Sequence, residues 1–214
     1  MKWLILCSAI ASFALSYLVA AKAPPSYFKK YFTIFILVSS SWIISNFLLI
    51  SFFNIFWLRT TYALGALIAP TAFIWVTNFR RDNSPLPNAF LFLCLGFGLI
   101  FFVLCFINNI FLMDVPLSNF VVAGAFGPFF PAYTIFTGGL LFAVLAELII
   151  YAIVLPGRKQ IQAQYILLGA FGYILMTIFA SLILPLFGFP QFGFLDSPSS
   201  LLFVGLTVFA ITKH

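Results

Sequence analysis

The sequence predicts an all-α integral membrane protein: a bundle of seven spanning helices with the N-terminus outside and the C-terminus in the cytoplasm. Of its 214 residues, 64% are hydrophobic and only 7% are charged, whereas an ordinary soluble domain has roughly 25% charged residues. A spanning helix needs about 20 predominantly apolar residues. Long Leu, Ile and Phe runs without strict alternation indicate helices rather than a barrel. The predicted spans are residues 3–21, 31–52, 60–79, 89–107, 132–155, 163–187 and 198–212.

The basic residues predict the orientation. With the N-terminus outside, only Lys2 and Arg59 of the ten Lys and Arg residues fall on the outer side. Short loops rich in Lys and Arg stay in the cytoplasm, so an odd number of spans and an inward C-terminus follow. The net charge of +6 is therefore an orientation signal, and we expect no nucleic-acid partner. The eight basic residues assigned to the inside are Lys22, Lys29, Lys30, Arg80, Arg81, Arg158, Lys159 and Lys213.

The first span has an alternative interpretation. Lys2 precedes an apolar run that ends in small residues near Ala21, a pattern that is also typical of a secretory signal peptide. Cleavage would leave six spans and place three lysines on the wrong side for the remaining charge pattern. We therefore expect the segment to be retained as the first helix.

Spans three and four contribute a proline and two of the three cysteines. Pro70 lies inside the third span and should kink it. Cys94 and Cys105 are eleven residues apart in the fourth span, roughly 16 Å by helical rise, too far for a disulfide. With Cys7 in the first span, we expect packed thiols and no metal site.

The connection at 108–131 is the longest, and long loops in compact folds are often functional lids. A passive cover over the helix ends is an equally good interpretation. Within it, residues 115–122 have enough β-branched and aromatic character for a short hairpin or a surface helix. The other sizeable outer connection is 188–197.

Glu147 is the only ionisable residue well inside a predicted span, the fifth. An intramembrane carboxylate is a functional hypothesis by default, here a proton relay or a switch. The alternative is a hydrogen-bonded residue that only holds helices together. The candidate partners are Asn46, Asn54, Asn78, Gln162 and Gln164.

Several classes of enzyme and receptor are excluded by missing residues. The only histidine is His214, so no Ser-His-Asp set or HExxH zinc motif exists in the chain. A retinal protein needs a lysine in the middle of the seventh helix, whereas Lys213 stands at its end. We therefore expect no catalytic residue, no cofactor and no metal.

Three stretches carry a resemblance to a known family. They are the run 127–133 entering the fifth span, the run 158–169 opening the sixth, and the last helix ending at 210–214. Residues 42–46 and the proline-containing span 62–79 fit the same pattern. Together they resemble the N-terminal seven-transmembrane region of bacterial sensor histidine kinases, over nearly the whole chain and as loose motifs.

The resemblance implies an input module in the bacterial inner membrane. Its last helix would continue into cytoplasmic signalling parts after His214, and the full-length protein would be a homodimer. The phospho-accepting histidine of a kinase would lie far downstream, so His214 is not that residue.

The resulting hypothesis is signal transfer across the membrane. A small apolar or amphipathic ligand, or the membrane lipid itself, would bind between the outer halves of helices two to six, and the signal would leave through helix seven. Glu147 would be the internal switch. The predicted lining residues, chosen as polar or amphipathic groups in the outer half, are Asn46, Tyr62, Asn108, Tyr133 and Ser181.

Two competing functions remain. A small transporter would use Glu147 as a coupling carboxylate near the midplane and should show paired broken helices, for which Pro70 and Pro185 are the only candidates. A purely structural partner of another membrane subunit would bind no ligand. Substrate flux in proteoliposomes separates the sensor from the transporter.

Overall fold

The computed structural model describes residues 2–22, 27–80, 88–111, 126–179 and 195–213. These residues are almost entirely helical, which confirms the all-α class. The predicted features at Ser181, Pro185 and residues 115–122 lie outside the described residues. The helices are α1 (Lys2–Lys22), α2 (Tyr27–Phe52), α3 (Ile55–Arg80), α4 (Asn88–Leu104), α5 (Phe130–Val154), α6 (Arg158–Ile178) and α7 (Asp196–Lys213).

Six of these helices form a closed ring in the order α1, α2, α3, α5, α6 and α7, with α7 packed back against α1. The remaining helix, α4, packs on α3 outside this ring. Sequence neighbours run antiparallel, and α3 and α5 run parallel. Contacts of Tyr62 with Tyr133 at one end and of Phe79 with Tyr151 at the other show this parallel arrangement.

Apolar packing towards the C-terminal end of α3 joins α1, α2, α3, α5, α6 and α7 in one large cluster. Its centre is aromatic: Trp75 of α3 stacks on Phe35 of α2, with ring centroids 5.4 Å apart. Phe203 of α7 meets Phe35 edge-on at 5.8 Å. These contacts connect the last helix to α2 and α3.

Four helical segments of the described chain are long and apolar enough to cross a membrane: Lys2–Ala21, Lys29–Phe52, Ile55–Arg80 and Phe130–Val154. Two shorter apolar helices, Ala89–Leu104 and Asp196–Thr212, accompany them. Many large apolar side chains on α1, α4 and α5 face outward, for example Phe92 at 76% and Phe142 at 74% exposure. Such a surface suits hydrocarbon rather than water.

The third helix begins five residues earlier than predicted. Phe53, at a φ of 47°, and Asn54 alone connect α2 to α3. The Asn54 side chain accepts a hydrogen bond from the Phe56 backbone N–H at 2.9 Å, which satisfies one of the free donors at a helix start. The predicted start of the third span at residue 60 was therefore wrong, and Arg59 lies in the second turn of α3 and is 8% exposed.

Candidate ligand-binding site

A cavity of about 110 Å³ lies inside the ring, where five helices meet. An engineered cavity of about 150 Å³ in another protein binds benzene or xenon, so this space suits a small molecule or part of a larger one. Its walls are almost wholly apolar. The lining residues are Phe35, Ser39, Trp42, Ile68, Ala72, Leu141, Val144, Leu145, Ala170, Tyr173, Ile174, Ser200, Phe203 and Val204.

Small side chains explain why the space remains. Ala72 of α3 and Ala170 of α6 face the cavity and are 3% and 6% exposed. Larger residues at both positions would fill the volume that five diverging helix walls leave between them. The aromatic rings of Phe35 and Phe203 form part of the wall. Both rings also contact Trp75 in the large apolar cluster.

Two serine residues are the smallest polar members of the wall. Ser200 of α7 donates a hydrogen bond to the Ser197 carbonyl oxygen at 2.6 Å. Ser39 of α2 is 7% exposed, and among the described residues no group forms a hydrogen bond with its hydroxyl. By contrast, Ser41 and Ser45 on the same helix each donate to a carbonyl of the preceding turn. Ser39 is thus a wall residue whose hydroxyl has no hydrogen-bond partner within the described parts of the chain.

The other end of α3 carries a dense group of rings that we name the aromatic cap: Tyr62, Phe111, Phe126, Phe130 and Tyr133. The Tyr62 ring meets the other four with centroids 5.7 to 6.2 Å away. Phe126 stacks on Phe130 at 3.8 Å. The Tyr133 hydroxyl donates to the Tyr62 carbonyl oxygen at 3.3 Å. Cys105 and Ala63, both fully buried, fill the space beneath the rings.

Two glycines permit this packing. A β-carbon at Gly65 would lie 2.7 Å from the Tyr133 hydroxyl oxygen. At Gly127 it would lie 2.3 Å from the backbone oxygen of Ile110. The Gly127 N–H donates to the Phe111 carbonyl oxygen at 2.8 Å. This pairing brings together the two ends of the connection between α4 and α5.

Arg59 reinforces the same end of the bundle. Its guanidinium donates to the Phe106 carbonyl oxygen at 3.2 Å and to the side-chain oxygen of Asn108. These bonds join the second turn of α3 to the residues that follow α4. Sequence reasoning missed this role because it began the third span at residue 60 and used Arg59 only as an orientation signal.

The predicted lining residues fall into different places. Tyr62 and Tyr133 belong to the aromatic cap, and Asn108 binds Arg59 beside it. The Asn46 side chain donates to the Ser197 hydroxyl at 3.2 Å, linking α2 to the start of α7. The structure therefore brings Tyr62, Asn108 and Tyr133 to one end of α3. None of these four residues lines the cavity, and whether they contact a ligand stays a prediction.

Glu147 is half-buried on α5, one turn before Tyr151. The carboxylate has no hydrogen bond or ion pair within the described parts of the chain. Its candidate partners bind elsewhere: Gln162 donates to the Ala210 oxygen, and Gln164 donates to the Ala152 oxygen. Asn46, Asn54 and Asn78 likewise bind other atoms.

One sequence signal could have located the cavity. Ser39, Ser40 and Ser41 form three consecutive serines inside a predominantly apolar span, and polar residues within a membrane span are costly unless they serve packing or function. The alanines at 72 and 170 carry no comparable signal, because alanine is common at any helix contact.

Comparison with known proteins agrees with this architecture. No curated protein and no solved structure matches the chain. A family model described as the N-terminal 7TM region of histidine kinase matches residues 4–213. That match spans all seven helices and confirms the resemblance in the sequence. The chain belongs to the family of N-terminal seven-transmembrane regions of histidine kinases.

Proposed function

We propose that this region is the sensory input domain of a bacterial histidine kinase in the cytoplasmic membrane, with the N-terminus outside. The stimulus is a small apolar or amphipathic molecule, or the lipid itself, that enters the cavity. The proposal rests on one observation: Ser200, Phe203 and Val204 of α7 form part of the cavity wall. An occupant therefore touches the helix that would lead to the output domain.

A signal can leave the cavity by a shift between two helix packings. An occupant that fits one packing better raises its population, by as much as its affinity for the two differs. The wall joins α7 to α2 and α3 through Phe203, Phe35 and Trp75. A displaced Phe203 would therefore change the contacts of α7 with both helices. In a homodimer, the two α7 helices would carry this change to the cytoplasmic parts.

The cavity assignment is tested by filling it. Ala72→Leu in the full-length protein adds three carbon atoms at the wall of α3. We expect autophosphorylation in membranes to become independent of added 1-octanol, because the filled cavity fixes one packing. The matched control is Ala89→Leu, an exposed position on α4, which should respond like the wild type. A full octanol response from an Ala72→Leu protein at normal membrane level would contradict the assignment.

Glu147 is proposed as a switch that biases helix packing. Glu147→Gln keeps the shape of the side chain and removes its charge and its ability to release a proton. We expect kinase output to change by more than the amount of protein in the membrane, measured by quantitative immunoblotting. Unchanged kinase output at an unchanged membrane level would leave Glu147 without a signalling role.

A further inference from the structure

The geometry points to a specific class of ligand for the cavity. We propose that it accepts a membrane-dissolved amphiphile with a hydrocarbon chain and one hydroxyl group, which binds with the hydroxyl at Ser39 and the chain directed towards Leu141. This inference rests on the proposed function, since it names the ligand of the same cavity. It is nevertheless a statement about binding and can be tested without any kinase output.

Ser39 determines where the hydroxyl group of the ligand binds. Ser39 is 7% exposed as a residue and lies on the cavity wall, and its hydroxyl has no hydrogen-bond partner among the described residues. A hydroxyl that faces apolar surroundings without a hydrogen bond is unfavourable, so a ligand that supplies a hydrogen bond to Ser39 is favoured. Ser200 stands on the wall as well, and its oxygen can still accept a bond, since its own proton goes to the Ser197 carbonyl.

The rest of the wall selects a hydrocarbon chain. Ile68, Val144, Leu145 and Ile174 surround the space with aliphatic groups, and no Asp, Glu, Lys or Arg lies among the lining residues. A charged head group would be buried there without a counter-ion, at a cost far above what one serine can offset. The cavity wall therefore fits a ligand with one uncharged polar group at the end of an apolar chain.

The exposure of the lining residues indicates the route of entry. Of all of them, Leu141 on α5 alone is exposed, at 44%, while the rest are buried or half-buried. The large cluster around Trp75 extends from the cavity wall to one end of the bundle, and the aromatic cap occupies the other end. Within the described residues, the open side therefore faces lipid, and a ligand longer than the cavity can leave its tail in the bilayer beside Leu141.

The test is photoaffinity labelling of the protein in lipid nanodiscs. The probes are a diazirine-bearing octanol and a diazirine-bearing octane, with the reactive group near the middle of each chain. We expect the octanol probe to label Leu141, Leu145 or Ile174 and to be displaced by 1-octanol better than by octane. Ser39→Ala should weaken half-saturation by the octanol probe roughly threefold, as expected for one hydrogen bond within a membrane.

The control variant is Ser41→Ala. That residue lies two positions along the same helix and donates to the Leu37 oxygen at 2.9 Å, so its removal should leave labelling unchanged. Equal labelling by both probes, with no effect of Ser39→Ala, would overturn the ligand class while leaving the cavity as a general apolar site. Labelling only outside the cavity would overturn the inference as well. Failure of the proposed function would appear separately, as specific labelling with no change in kinase output.

Discussion

The aromatic cap and the cavity lie at different levels of the same helices, α3 and α5, and they are built in opposite ways. In the cap, rings meet in stacked and edge-on contacts and glycines allow close approach. In the cavity, alanine and serine leave space that no side chain fills. The rings of the cap contact one another, whereas the cavity leaves about 110 Å³ unfilled. The difference teaches that the aromatic residues that stand out in this sequence belong to tightly packed structure. The alanine and serine residues, which do not stand out, mark the candidate site.

The largest effect should come from breaking the cap at its backbone. Gly127→Ala would place a β-carbon 2.3 Å from the Ile110 backbone oxygen, and backbone cannot rotate away as a side chain can. We expect a loss of stability of about 3 kcal/mol, measured by thermal unfolding in detergent. Gly138→Ala is the control, because its β-carbon would meet no atom within 4 Å. If both variants unfold alike, the cap is not tightly packed.

The same substitution in the two regions compares them directly. Ala63 is fully buried under the cap, and Ala72 is 3% exposed on the cavity wall. Ala63→Leu should cost about 2 kcal/mol through overpacking. Ala72→Leu should be neutral or stabilising, since its added atoms enter empty space. Equal losses in thermal stability would show that the cavity closes around its wall when empty.

Removal of one side-chain hydrogen bond beside the cap should have an intermediate effect. Asn108→Ala removes the acceptor of the Arg59 guanidinium, and a hydrogen bond to a charged group contributes about 1.5–3 kcal/mol. We expect a loss near the lower end, because the Phe106 oxygen still accepts from Arg59. Thermal unfolding of Asn108→Ala beside Asn108→Asp checks this, since aspartate keeps the acceptor and should retain stability.

The smallest effect is expected at the bond between α2 and α7. Asn46→Ala removes the donor to the Ser197 hydroxyl, and hydrogen bonds between membrane helices average about 0.6 kcal/mol. The double variant with Ser197→Ala should lose no more than the larger of the two single losses. Additive losses in unfolding experiments would mean that the two side chains act through other contacts.

Sequence reasoning recovered the helical class and the family because both follow from long-range patterns. The sequence alone shows the hydrophobic runs, the position of Pro70 and the run entering α5. Helix ends were harder to predict. Helix α3 starts at Ile55 because Asn54 caps it, and a single capping side chain is a weak sequence signal among apolar neighbours.

The cavity itself could not be predicted in this way. Its wall combines residues from five helices, among them Ser39, Ala72 and Ser200, and each is ordinary in its own segment. An empty space is set by how far apart helices pack, which depends on all facing side chains together. Polar and aromatic residues such as Tyr62 and Tyr133 were selected for the site because they stand out singly, and they lie in the cap.

Pro70 of α3 lies where α3 and α4 approach each other closely. Pro70 has no N–H, so the carbonyl oxygen of Ala66 loses its helical donor. Gly98 of α4 lies against this spot: a β-carbon there would be 3.0 Å from the Pro70 ring and 3.2 Å from the Ala66 oxygen. The absence of a side chain lets the glycine backbone approach the bare oxygen, where Cα–H groups can act as weak donors. Positions 70 and 98 therefore form a matched pair, because a side chain at position 98 would meet both the Pro70 ring and the Ala66 backbone oxygen.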